Sequence, residues 1–143
     1  AIADYENGNW ESYASHFSDT AKIYYNTSEK HMSPKESAVG LAEGTAGFSS
    51  YGFLKDKGDI EMVVTDDGDT WVNFWGEWQA TLAENNQTLD IPVHLTAQFV
   101  DGKIVREHGY WDTSTMMTAT MALEAAKKAE DMEVQNDSIA PGD

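Results

Sequence analysis

Two hydrophobic periods divide the chain. Trp10, Tyr13, Ala14 and Phe17 fall at i, i+3, i+4 and i+7, the inward stripe of an amphipathic helix. Asn9 closes the turn Asn7-Gly8-Asn9 and is placed to cap that helix. Residues 1–6 fit the remnant of an earlier helix, and 21–26 (AKIYYN) a first strand. Ser33-Pro34-Lys35-Glu36 has serine at the cap, proline in the first turn and glutamate three residues on, which predicts a helix to about Phe48. Gly40, Gly44 and Gly47 weaken it. From residue 59 the period becomes two, and strands are predicted over 59–65, 70–82, 89–100 and 103–111, a meander. Two of these are long, and long, strongly twisted antiparallel strands curl around a core. Residues 113–132, rich in Ala, Met, Glu and Lys, predict a last helix capped by Thr113 or Ser114. The polar stretch 133–143, ending in Pro-Gly-Asp, reads as a loose tail, so a single domain is expected over 1–132. The fold class is α+β: a curved antiparallel sheet packed on helices around a pocket.

Asp101-Gly102 between two alternating strands predicts a two-residue hairpin turn, and such a turn fixes the register. Cross-strand partners then sum to 203. One face carries Phe99/Ile104, Ala97/Arg106, Leu95/His108, Val93/Tyr110 and Ile91/Asp112. The other carries Gln98/Val105, Thr96/Glu107, His94/Gly109 and Pro92/Trp111. The first, richer in apolar residues, is expected to face the core, together with Val72, Phe74, Trp78, Ala80 and Leu82 of the preceding strand. A shift of one residue would reverse the assignment.

In that register Arg106, His108, Tyr110 and Asp112 alternate along one strand where a plain core would place valine or leucine. Unpaired polar groups there cost about 1–3 kcal/mol each. A water-containing, ligand-binding concavity would accommodate them, and so would a closed polar network. Asp112 beside apolar Ile91 suits a general acid or base, because burial raises a carboxyl's pKa towards the working range; it equally suits a cap of the final helix. His108, with an ordinary pKa near neutrality, suits catalysis, ligand hydrogen bonding or structural pairing. Arg106, Tyr110, Trp78, Phe74, Tyr13 and Tyr25 are the expected ligand contacts. His31, His94 and His108 are the one histidine grouping for a metal, but the predicted faces separate His94 from His108, so no metal site is expected.

Composition narrows the partners. With 25 acidic against 9 basic side chains and a net charge of -16, the surface repels nucleic-acid phosphates and anionic membrane. The chain has no cysteine, which excludes disulfides and thiolate chemistry. No apolar run approaches the ~20 residues that span a bilayer. The start Ala1-Ile2-Ala3-Asp4 suggests removal of an upstream segment, which leaves the compartment open between cytoplasm and, had that segment been a signal, periplasm or exterior. Trp71, Trp75 and Trp111, at alternate positions of the expected outer face, predict an apolar patch and a homodimer.

The segments Tyr5-Glu-Asn-Gly-Asn-Trp10, Phe17-Ser-Asp-Thr20 and Asp101-Gly-Lys-Ile-Val-Arg-Glu-His-Gly-Tyr-Trp-Asp112 together resemble the SnoaL-like branch of the nuclear-transport-factor-2-like superfamily. The resemblance spans most of the chain. It implies a cone-shaped curved sheet with a hydrophobic pocket, a homodimer through the sheet's outer face, and chemistry without metal or organic cofactor. Under it Asp112 corresponds to the family's aspartate at the end of the last strand, and His108 to a pocket-facing position. The function expected is that of a protein binding a small apolar or amphipathic organic molecule. Two readings stay open: a cofactor-independent isomerase, dehydratase or cyclase, and a non-catalytic ligand-binding or dimerisation module.

Overall fold

The computed structural model describes residues 1–139, with side chains through Asn136. Residues 1–112 form one compact unit, and the segment from Thr113 a second. The first unit starts with two short helices, α1 (Ile2–Glu6) and α2 (Trp10–Ser15). Positive φ at Gly8 turns the chain between them. After β1 (Phe17–Tyr25) comes α3 (Pro34–Thr45), which has the anticipated capping box: Ser33 Oγ accepts from the Glu36 amide while the Glu36 carboxylate accepts from the Ser33 amide. Then follow β2 (Phe48–Phe53), β3 (Asp59–Val64), β4 (Thr70–Leu82), β5 (Thr88–Val100) and β6 (Lys103–Trp111).

The six strands form one curled sheet in the order β1-β6-β5-β4-β2, with β3 also pairing β4. The long β4 serves two neighbours in turn. Its first half pairs with β3, from Thr70↔Val64 to Trp75↔Asp59, and its second half with β2. The architecture is the expected α+β roll with two corrections. The sheet is mixed, because β1 runs parallel to β6, and β2 forms from Phe48, where the helix after Ser33 was expected to end and no element was assigned before residue 59. Phe48-Ser-Ser-Tyr-Gly-Phe53 is a short strand held by the edge of β4. Its pattern is too brief and too polar to announce itself without that edge.

The second unit is α4 (Ser114–Ile139), which continues past Met132 through most of the stretch expected as a loose tail. The Pro-Gly-Asp end of that expected tail lies outside the described residues. No helix among the described residues is long and apolar enough to cross a membrane.

The hairpin between β5 and β6 decides which side chains share an interior. Asp101 and Gly102 both have positive φ (50° and 76°), as a type I′ turn requires. Val100↔Lys103 and Phe99↔Ile104 then pair as predicted. Beyond them the register slips. Gln98 pairs with Arg106, so Val105 is an extra residue on β6, a β-bulge, and every later side chain changes face. Glu107, Gly109 and Trp111 join the inner face, opposite Ala97, Leu95 and Val93. Arg106, His108 and Tyr110 go to the outer face, opposite Gln98, Thr96 and His94. The polar row read as facing the core is therefore on the other side, and Trp111, read as outer, is inner. His94 and His108, read as separated, share the outer face.

The core of the first unit gathers Tyr13, Phe17, Ala21, Ile23, Ala38, Ala97 and Ile104, with Tyr5, Trp10, Tyr25 and Phe99 packed against it. Two strand glycines on this face make room for rings. A Cβ on Gly109 would lie 2.8 Å from Tyr25 and 2.9 Å from Trp111, and one on Gly76 would collide with Phe74. Gly40 in α3 has open space around it. Alanine at the two helix and strand positions should therefore act with opposite sign. Gly109→Ala is expected to lower stability by about 1–3 kcal/mol through overpacking, and Gly40→Ala to raise it by about 0.5–1 kcal/mol through helix propensity. Urea unfolding of the two variants checks this, and a stable Gly109→Ala would refute the close packing of rings over the strand.

Candidate functional site

The bulge delivers one carboxylate to the interior. Glu107 is 6% exposed and is flanked on the parallel neighbour β1 by Ile23, its pairing partner. The strand brings Tyr25 to the same face two residues further on. Tyr25 Oη donates to Glu107 Oε1 at 3.0 Å. Tyr13, from the inward stripe of α2, lies 3.0 Å from Tyr25 Oη. Ser37, on the buried side of α3's first turns, lies 3.2 Å from Tyr25 Oη and 3.4 Å from Tyr13 Oη. Three hydroxyls from three elements thus converge behind one carboxylate. Since the single proton of Tyr25 goes to Glu107, Tyr25 receives its other hydrogen bonds from Tyr13 and Ser37.

Among the described residues no side-chain cation pairs with the carboxylate; the α-ammonium of Ala1 is a positive charge that acts on it and lowers its proton affinity somewhat. The ion pairs described are Asp4–His16 and Lys57–Glu77, both away from it. Burial pushes the Glu107 carboxyl up to about 7, with the Tyr25 hydroxyl partly offsetting the rise. Burial, reinforced by the nearby Glu107 charge, also pushes the phenols of Tyr13 and Tyr25 upward, so both remain protonated donors at neutral pH. The site therefore combines a carboxyl that can take or give a proton near neutrality with a chain of hydroxyls that donates to its ionised form.

Aromatic rings continue this interior. Tyr5 packs against Trp10, Tyr51 and Phe53, and Phe53 meets Phe74 edge-on at 4.9 Å. Trp78, 6% exposed and edge-on to Phe48, has its indole N–H near the Tyr5 phenol but makes no hydrogen bond of good geometry. Tyr13, Tyr25, Trp78 and Phe74 thus share the inner face with Glu107. Arg106, His108 and Tyr110 do not. His108 stacks on Tyr24 at 4.7 Å across the outer face, and burial followed by the Arg106 charge lowers its pKa. Asp112 is exposed, just beyond β6. Sequence reasoning assigned Glu107 to the outer face. Two signals point to the bulge: the consecutive apolar pair Ile104-Val105, which breaks the alternation, and Gly109 inside a strand, which marks a bulge or a close approach.

A curled mixed sheet with two helices before its first strand and a third between its first two strands is a shape found among solved proteins. The structure of PrhC from Penicillium brasilianum superposes with a TM-score of 0.67 at 12% identity, covering 88% of this chain and 84% of that one. A SnoaL-like polyketide cyclase candidate from Jannaschia sp. superposes with a TM-score of 0.63 at 15% identity, covering 82% and 84%. This chain has the fold of these SnoaL-like structures. A protein from Catenulispora acidiphila described as ketosteroid isomerase-like in fold was solved with trimethylamine; it superposes with a TM-score of 0.62 at 11% identity, covering 80% of this chain and 83% of that one. No protein-family model matches the sequence, and no curated protein does.

The elevated proton affinity of Glu107 ties stability to pH. Between the ordinary glutamate value of 4.5 and about 7, the folded chain holds a proton that the unfolded chain has released. Stability therefore falls as pH rises through that window, by about 3 kcal/mol in total for this one group. Glu107→Gln stays neutral and lacks this contribution. The stability difference between wild type and variant should thus change by about that amount from pH 4.5 to pH 8 in urea titrations, and a pH-independent difference would show that Glu107 titrates normally.

Proposed function

We propose that the interior around Glu107 is a ligand pocket and that the chain is a cofactor-independent acid–base enzyme of the isomerase, dehydratase or cyclase type, acting on a small apolar or amphipathic organic molecule. The observation that carries this reading is a buried carboxyl, raised to about 7, whose hydrogen-bond donor is a tyrosine rather than a cation. A group with that proton affinity is half ionised at neutral pH, where general catalysis is most effective. Glu107 moves the proton. Tyr25, supported by Tyr13 and Ser37, steadies the ionised form of Glu107, and Trp78, Phe74 and Tyr5 form apolar walls. This reading replaces Asp112 and His108 by Glu107 as proton-transfer group, because Asp112 is exposed and His108 is on the far side of the sheet.

A second reading, ligand binding without turnover, draws on the same residues. A lone carboxylate among aromatic rings is also the chemistry that holds a small amine cation, and the Catenulispora neighbour was solved with trimethylamine.

Proton abstraction from 5-nitrobenzisoxazole, a general-base reporter, separates the two. The catalytic reading predicts a rate that rises with pH through an apparent value of about 7 and falls about a hundredfold or more in Glu107→Gln. The binding reading predicts no elimination, and a melting temperature raised by trimethylammonium in the wild type but not in Glu107→Gln. Elimination that is unchanged in Glu107→Gln would remove Glu107 from the mechanism.

A further inference from the structure

The free edges of the sheet are not alike. On the β1 side, Ile23 exchanges two backbone hydrogen bonds with Met32. On the opposite side β2 is tied to α1: the Phe53 amide donates to the Glu6 carboxylate at 2.7 Å and Tyr51 Oη to the Tyr5 carbonyl at 3.4 Å. Among the described residues β3 pairs with β4 alone, in an unbroken register from Asp59 to Val64. The Thr65 amide, just past the strand, donates across the turn to the Asp69 carbonyl at 2.9 Å, whereas the Ile60 amide is taken by the neighbouring Asp59 carboxylate at 3.0 Å. Antiparallel bonding alternates along a strand, so the odd-numbered residues bond to β4 and the amides and carbonyls of Ile60, Met62 and Val64 point away from it.

The side chains along this edge are apolar and open. Ile60, Met62 and Val64 are 63%, 69% and 59% exposed, on the inner face beside Phe74, Val72 and Thr70. An unpaired strand with such side chains is a template for another strand, and proteins ordinarily blunt it with lysine, proline or a bulge. β3 has none of these. It has acid instead: residues 59–69 include Asp59, Glu61, Asp66, Asp67 and Asp69 and no Lys or Arg. Asp59 and Glu61 lie on the outer face, opposite Trp75 and Asn73, and Asn73 donates to Glu61 at 3.2 Å. Lys57, the nearest cation before the strand in sequence, is held by Glu77 at 3.2 Å.

We propose that β3 is a docking edge for an extended, basic segment of another protein, which joins the sheet as a further strand. Backbone bonds to Ile60, Met62 and Val64 supply the pairing. Apolar residues at alternate positions of the guest cover those three side chains, and its Lys or Arg side chains on the other face meet Asp59 and Glu61. The guest also replaces Asp59 on the Ile60 amide, which frees that carboxylate for a cation. Charge decides the occupant. A second copy pairing through β3 would set Asp59 and Glu61 of two chains on one face and bring together two molecules of net charge -16, whereas a basic strand is attracted by both. The same carboxylates thus guard the edge against self-association and select its partner. The proposal does not draw on the activity at Glu107 and stands or falls independently of it.

Titration calorimetry of the full chain with an acetylated, amidated heptapeptide of alternating valine and lysine tests it, beside the same peptide with glutamate in place of lysine. The lysine peptide should bind the wild type, about tenfold more weakly when salt is raised from about 0.05 M to about 0.3 M, and the glutamate peptide should not bind. Hydrogen exchange at the Ile60, Met62 and Val64 amides should slow about tenfold or more with the lysine peptide. Met62→Pro removes an outward amide and no bond to β4; it should weaken binding about tenfold or more with native circular dichroism. Asp59→Lys combined with Glu61→Lys should reverse the preference towards the glutamate peptide. A wild type that does not bind the lysine peptide, binding that leaves the three amides exchanging as before, or lysine-peptide binding unchanged in Met62→Pro or in the charge-reversed variant overturns the docking edge. A wild-type dimer in sedimentation equilibrium that Met62→Pro dissociates also overturns it, by assigning the edge to a second copy.

Discussion

A single extra residue in β6 governs the chemistry of both faces. Side chains alternate along a strand, so the bulge at Val105 turns over everything from Arg106 to Trp111. Without it Glu107 would sit in water and a row of Arg, His and Tyr would need partners in an apolar core. With it the row meets solvent and stacks into a ladder, while one carboxylate enters the interior. The bulge lies where β1 also loses its regular pairing with β6, between Phe17 and Lys22. The amide of Ile104 there donates to the His16 carbonyl at 3.0 Å, so the irregular stretch is tied to the end of α2. The same helix presents Tyr13 to the hydroxyl group behind Glu107.

The interior carboxyl is an unusual occupant because its neighbours are hydroxyls. A guanidinium would have held it ionised and lowered its proton affinity. Tyr25, Tyr13 and Ser37 stabilise the ionised form less, so burial wins and the proton stays on until near neutrality. A buried group in this condition is costly for folding above neutral pH, and such cost is commonly found where a site must exchange protons. The aromatic lining adds few permanent dipoles that could solvate the ionised carboxyl.

Much of the fold was legible because it rests on local rules. The Ser33/Glu36 capping box, the Asp101-Gly102 turn, the long alternating strands and the stripe of Trp10, Tyr13 and Phe17 each declare an element through nearby residues. Of the candidate site, Tyr13, Tyr25, Trp78 and Phe74 were legible as rings of the inner face. Glu107 was not, since its face depends on a bulge that counting by twos from the turn passes over. The parallel pairing of β1 with β6 and the short β2 depend on distant edges, and no local pattern encodes them.

Gly76 and Gly109 give the inner face a property of its own. At both positions rings crowd against bare backbone, Phe74 with Phe53 at one and Tyr25 with Trp111 at the other. The contour of the interior is thus drawn by rings that cover the strands, rather than by branched side chains wedged between them. Exchange of one ring for a smaller or differently substituted one reshapes the space while the ladder of backbone hydrogen bonds, and the position of Glu107 within it, stays in place. Under the proposed function, a scaffold built this way would separate the fitting of a molecule from the proton chemistry applied to it, and each could drift without dismantling the other.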